Sequence, residues 1–202
     1  MTGIKICGLT REEDIYFINS TRPEYIGFVF AKSKRQVDPH KCKRLISLLD
    51  SDIKVVGVFV NSCPKEINDI VDYCKIDIVQ LHGNEKQEMC NDINSKVWKA
   101  FRVKDKYSLD KLKEYKVDGY LLDAYDVDQF GGTGSSFNWS LVKDARLDKE
   151  IILAGGITPD NVQNAIRETN AQIIDISSGV ETNGIKDFDK IKTLIERVRE
   201  IG

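Results

Sequence analysis

The sequence predicts an α/β chain closed into a parallel (β/α)8 barrel, a TIM barrel, and three observations carry that prediction. Eight short runs rich in Ile, Val and Leu alternate with segments of helical spacing along the whole chain. The runs are mostly continuous in apolar residues, which is how strands buried on both faces of a parallel sheet read. Parallel strands need right-handed helical crossovers, and eight such units close into a barrel at about 200 residues, the small end of that fold. An open doubly wound sheet is the runner-up. The 202 residues show no linker, low-complexity stretch or short repeat, so residues 1–202 read as one domain.

The first run, 3–7 GIKIC, ends at Cys7-Gly8 and is followed by Thr10-x-x-Glu13, a capping-box pattern for a helix start. The second, 25–30 YIGFVF, runs into AKSKRQVDP, a loop with Lys32, Lys34 and Arg35 that leads to a helix start at Asp38-Pro39. The third, 54–60 KVVGVFV, precedes Cys63-Pro64, a start with a poor cap. Ile67, Ile70, Val71 and Cys74 then follow at i, i+3, i+4, i+7. The fourth, 77–81 DIVQL, contains Gln80 and passes into His82 and Gly83; the fifth is 97–101 VWKAF. The sixth, 118–122 DGYLL, delivers Asp123 and a polar stretch holding Asp126, Asp128 and glycines at 131, 132 and 134. The seventh, 151–154 IILA, ends in Gly155-Gly156 before a helix start expected at Thr158-Pro159. The eighth, 172–176 QIIDI, carries Asp175 and ends in Ser177, Ser178 and Gly179. A last helix has Phe188, Ile191, Leu194, Ile195, Val198 and Ile201 on one stripe.

Thirty basic against 32 acidic residues give a net charge of −2, which argues against nucleic acid or a membrane surface as partner. No apolar run approaches the roughly 20 residues of a membrane span, and the N-terminus lacks a secretion pattern, so a cytoplasmic location is expected; a monomer is the default assembly, since the sequence does not report oligomeric state. The five cysteines are odd in number and form no C-x-x-C pair, and there are two histidines. Disulfide frameworks and zinc sites are therefore not expected.

In a barrel of this kind function lies where strands end and the next loops begin. Two glycine loops after the seventh and eighth strands suit phosphate, because glycine lets backbone N–H groups approach an anion. They also suit plain tight turns. The glycines from 131 lack the G-x-G-x-x-G spacing, since Phe137 stands in the last place. That segment reads as a mobile loop that closes over a substrate. Asp123 at a strand end is a candidate proton donor, partly desolvated and raised in pKa, or else a loop anchor. Cys7 is a packed thiol, a redox or metal ligand without partners, or a catalytic thiolate. The last needs a helix N-terminus or a cation such as Arg35 or Lys5 to lower its pKa. The helix after Thr10 is expected to help, and Gly8 to leave room for a substrate. His82 bonds a substrate oxygen or its own loop. Arg35 is a solvated charge or a planar fork for a carboxylate.

KICGLT, FVFAKSKRQV, VGVFVN, VQLHGNE, LLDAYDVDQFGGTGSSFNW, LAGGITPDNV and DISSGVE, in this order and over essentially the whole chain, resemble the phosphoribosylanthranilate isomerase family of tryptophan biosynthesis. The resemblance implies an Amadori rearrangement without metal or organic cofactor. It implies Asp123 as general acid, Cys7 as general base and Arg35 as the contact for the anthranilate carboxylate. Gly155, Gly156, Ser178 and Gly179 would hold the phosphate, with Gln80, His82 and Asp175 as further substrate contacts. One departure is Asn138, where the family often has Asp; Asn caps a helix as well. Two other readings remain at this stage: a lyase or synthase acting on a related sugar phosphate, and a barrel that binds such a ligand without turnover.

Overall fold

The computed structural model describes residues 2–50, 52–103, 106–123, 139, 142, 147 and 149–201. Eight parallel strands close into the expected barrel: β1 Gly3–Cys7, β2 Tyr25–Val29, β3 Lys54–Phe59, β4 Ile78–Leu81, β5 Lys96–Arg102, β6 Gly119–Asp123, β7 Glu150–Ala154 and β8 Ile173–Ile176. β8 returns to β1 with Lys5 opposite Asp175, and β1 pairs β2 with Cys7 opposite Gly27.

The described helices around it are α1 Glu12–Thr21, α2 Pro39–Ile46, α3 Pro64–Cys74, α4 Gln87–Asn91, α5 Lys106–Asp110, α6 Val162–Thr169 and α7 Phe188–Arg199. The helix expected between β6 and β7, the loop of 131–136, Asp126, Asp128 and Asn138 lie outside the described residues. A small hairpin, β9 Glu181–Thr182 with β10 Ile185–Lys186, stands between β8 and α7 and was not anticipated.

Local sequence explains most starts. Asp38 accepts the Lys41 N–H at 2.8 Å ahead of Pro39, as expected. Cys63 precedes Pro64 without a side-chain cap bond, as its chemistry suggests. Two expectations are corrected. At α1 the closing residue is Asp14, not Glu13: its Oδ2 accepts the Thr10 and Arg11 N–H groups at 2.9 and 3.0 Å, and its Oδ1 binds the Arg11 guanidinium. The helix therefore begins after Arg11 rather than Thr10. At α6, Asn161 Oδ1 accepts the Thr158 N–H at 2.8 Å and its amide donates to Gly156 O at 2.9 Å. That ties 158–161 into a turn, so the helix starts at Val162 rather than Pro159.

Strand residues alternate between two cores. Outward residues such as Ile4, Ile6, Phe28, Leu122, Leu153 and Ile174 pack under the helices. Each such fully buried aliphatic side chain contributes about 1.5–3 kcal/mol of burial. Inside the barrel, Val56, Ile78, Trp98, Leu121, Ile152 and Ile173 form a second cluster. Toward the C-terminal ends of the strands the interior changes character, because Lys5, Gln80 and Asp175 are buried there too. A polar layer on an apolar plug sets the floor of the site.

Candidate active site

Cys7 is the last residue of β1 and is almost fully buried. Its sulfur stands over Gly27 of β2: a Cβ built on Gly27 would fall 2.6 Å from Sγ, so only glycine leaves the thiol its place. Gly8 has a different neighbour from the one expected. A Cβ there would run into the Arg35 Cδ, so Gly8 makes room for the arginine stem rather than for a substrate. Ser177 Oγ donates to the Cys7 carbonyl at 3.1 Å and ties the ends of β1 and β8 together.

The expected help from α1 is also corrected. Its first turn carries Glu12, Glu13 and Asp14, and Asp14 already takes the leading N–H groups. Three carboxylates at that start offset its positive end. Burial pushes the Cys7 thiol above its ordinary 9.0, Asp175 adds to the rise, and the Lys5 and Lys186 ammonium groups oppose it. The two lysines are the charges that favour the thiolate.

A chain of polar contacts crosses the floor. Lys5 Nζ donates to Asp175 Oδ2 at 2.7 Å and to Gln80 Oε1 at 2.9 Å. Gln80 Nε2 lies 2.8 Å from His82 Nδ1, and His82 Nε2 lies 3.2 Å from Asp123 Oδ2. Asp123 ends β6, with about a fifth of its side chain exposed. Asp175 Oδ1 is buried and has no partner among the described residues. A buried carboxylate oxygen left over at a cavity wall suits a ligand hydroxyl.

Cys7, Gln80, His82, Asp123, Asp175 and the glycine loops line one cavity of about 250 Å³ at the barrel mouth. Gly155, Gly156, Ser178 and Gly179 form its rim, and Gly155 and Gly156 turn with φ of 89° and 64°. Nine of the ten predicted site residues thus meet at one place. Arg35 stands apart, outside the cavity lining. Its Nε and Nη2 hold both oxygens of Glu181, at 2.6 and 2.7 Å. Lys186 Nζ donates to the same carboxylate at 2.8 Å and to Ser177 O at 2.9 Å. Burial alone would raise the Glu181 carboxyl, but the bonds from Arg35 and Lys186 hold it down at about 2. Among the described residues no cluster of three or more metal-ligating side chains occurs.

The family model described as N-(5′-phosphoribosyl)anthranilate isomerase matches residues 4–197. The chain belongs to this family. A relative of that name from Thermoanaerobacter sp. (strain X514) is 49% identical over 202 residues, covering 100% of both chains. A solved structure described as monomers generated from the dimeric enzyme of Thermotoga maritima is 36% identical, with TM-score 0.86 over 99% of this chain and 100% of that one. A further structure, of the isomerase with reduced 1-(o-carboxyphenylamino)-1-deoxyribulose 5-phosphate, is 35% identical, with TM-score 0.85 over 99% and 100%. The chain is therefore an isomerase of the phosphoribosylanthranilate type.

Three residues around this isomerase's site were missed as partners from sequence. Lys5 was visible only as a possible cation, and Glu181 and Lys186 not at all. Glu181 closes the DISSGVE motif, which was the one local signal for it. Lys186 carried none, because a hairpin of two-residue strands leaves no periodicity to read.

Proposed function

We propose that the chain converts N-(5′-phosphoribosyl)anthranilate to 1-(2-carboxyphenylamino)-1-deoxyribulose 5-phosphate in tryptophan biosynthesis, with Asp123 as general acid and Cys7 as general base. The observation that carries this reading is the shared cavity. Cys7 on β1 and Asp123 on β6 face it from different sides, and glycine loops form its rim. The ligand named in the related structure has the carboxylate and phosphate that Arg35 and those loops suit.

Asp123 gives a proton to the furanose oxygen as the C1′–O4′ bond breaks. The anthranilate nitrogen lone pair closes to a protonated Schiff base. A proton on Asp123 Oδ1 leaves the His82 contact at Oδ2 intact. Cys7 then takes the C2′ proton, and the C–H electrons form the enolamine, which tautomerises to the ketone. The positive Schiff base beside Cys7 favours the thiolate at the step that needs it. Asp175 Oδ1 accepts from a sugar hydroxyl. Gly155, Gly156, Ser178 and Gly179 take the phosphate. Arg35 meets the anthranilate carboxylate along its Nη1 edge, because Glu181 holds the other side of the fork. No step asks for a metal or an organic cofactor.

We read the chain as one domain acting as a monomer, which sedimentation of the purified protein checks against the dimer described for the Thermotoga relative. The activity is tested by following the fluorescence of the anthranilate substrate. Its loss with stoichiometric appearance of the ketose is expected; tight binding of a product analogue without turnover would overturn the reading.

A further inference from the structure

Lysine is costly to bury, and Lys5 is fully enclosed in the barrel. Its ammonium donates to two acceptors, Asp175 Oδ2 and Gln80 Oε1, and Cys7, two residues on along β1, shares its inward face. Replacing the whole buried Lys5–Asp175 pair by apolar residues of similar volume would often be neutral or stabilising, so packing does not account for the ammonium.

Its consequence runs through Gln80. An ammonium only donates, so the amide must turn its oxygen to Lys5 and its NH2 to His82. Nδ1 of His82 then accepts, at 2.8 Å, which leaves the proton of the neutral ring on Nε2, 3.2 Å from Asp123. A single buried charge on β1 thus fixes the tautomer of a ring on the far side of the floor.

We propose that Lys5 is a positioning residue for both reacting groups, fixing through Gln80 the His82 tautomer that donates to Asp123, and directly supplying the counter-charge to the Cys7 thiolate. The proposal rests on the acid–base reading given above. Burial works to lower the Lys5 pKa, but Asp175 and Cys7 outweigh it and the net shift is upward, so the group keeps its charge. The charged groups facing Cys7 are Lys5 on its own strand, Asp175 on β8, Lys186 on β10 and Arg35 after β2. Gln80 and Asp123 face the His82 ring nitrogens.

The test compares Lys5→Met and Gln80→Leu in the full chain with three readouts. These are kcat and KM, nitrogen NMR of the His82 ring, and the pH dependence of Cys7 alkylation by iodoacetamide, resolved by peptide mass spectrometry. Folded Lys5→Met is expected to lose about 10²-fold in kcat with KM within a few-fold. It is also expected to lose the single Nε2–H tautomer and to shift the Cys7 alkylation midpoint to higher pH. Gln80→Leu is expected to lose the tautomer but keep the midpoint. If Lys5→Met does not fold, because Asp175 is left unpaired, Lys5→Met/Asp175→Asn removes both charges and reads the tautomer. Gln80→Leu reads it with the ion pair intact. An unchanged His82 tautomer, or an unchanged Cys7 midpoint in Lys5→Met, overturns the proposal; a fall in kcat with both unchanged marks a purely structural lysine. The NMR and alkylation readouts need no turnover. A wild-type chain without isomerase activity would therefore sink the acid–base reading and still leave Lys5 to be judged by them.

Discussion

Lys5 and Lys99 are both buried lysines on barrel strands, and their partners differ in kind. Lys99 points outward from β5, and its ammonium meets the Leu81, Gly83 and Ala100 carbonyls at 3.3, 2.8 and 3.1 Å, with Glu85 Oε2 at 3.1 Å. Glu85 in turn accepts from the Asn61 and Gly83 N–H groups. That cluster staples the turn after β4 and is satisfied mostly by backbone. Lys5 points inward and meets only side chains, each of which lines the cavity. A buried charge held by backbone fixes a loop, whereas one held by site side chains sets their orientation and charge. Lys186 is the intermediate case, with one backbone carbonyl and one carboxylate as partners.

The sharpest way to break this comparison is Lys99→Met. It leaves Glu85 as an uncompensated buried charge, so a loss of about 3–5 kcal/mol of stability is expected in chemical denaturation. The pH profile of kcat should stay where it was; a shifted profile in the folded fraction would put both lysines in one class. Next comes Gly27→Ala, whose new methyl would press on the Cys7 sulfur. About tenfold lower kcat is expected, as a misplaced reacting group costs rate before it costs fold. A wild-type rate would mean that the sulfur does not need the place that Gly27 leaves it.

The smallest effect tests the intermediate lysine. Glu181 has its carboxyl at about 2 in the folded chain against an ordinary 4.5. A depressed carboxyl contributes stability that is present above the unfolded value and lost as pH falls through the folded one. The melting temperature of the wild type should therefore fall between pH 4.5 and about 2. Glu181→Gln should flatten part of that fall, and equal slopes in the two proteins would show that the Arg35 and Lys186 bonds carry no such linkage.

What could be read from the sequence follows the range of the forces involved. Strand positions were legible to within a residue or two, since an apolar run bounded by polar loops is local information. That nine of the ten expected residues would line one cavity was legible because a barrel places every strand end at one mouth. Helix starts were less so: Asp14 and Asn161 displaced the residues expected at α1 and α6 by bonding back to their own turns. The long-range contacts around the cavity were not legible. Lys5 meets Asp175 across 170 positions, and Arg35 meets Glu181 across 146. No periodicity reaches that far. For the same reason Gly8 was read as space for substrate when its neighbour is Arg35.

The proton-transfer roles proposed for Cys7 and Asp123 are open to one decisive measurement, turnover of N-(5′-phosphoribosyl)anthranilate by folded Cys7→Ser and Asp123→Asn. A loss of about 10²–10⁴-fold in kcat is expected for each, the usual worth of a positioned acid or base. Near-wild-type turnover in both variants would contradict those roles.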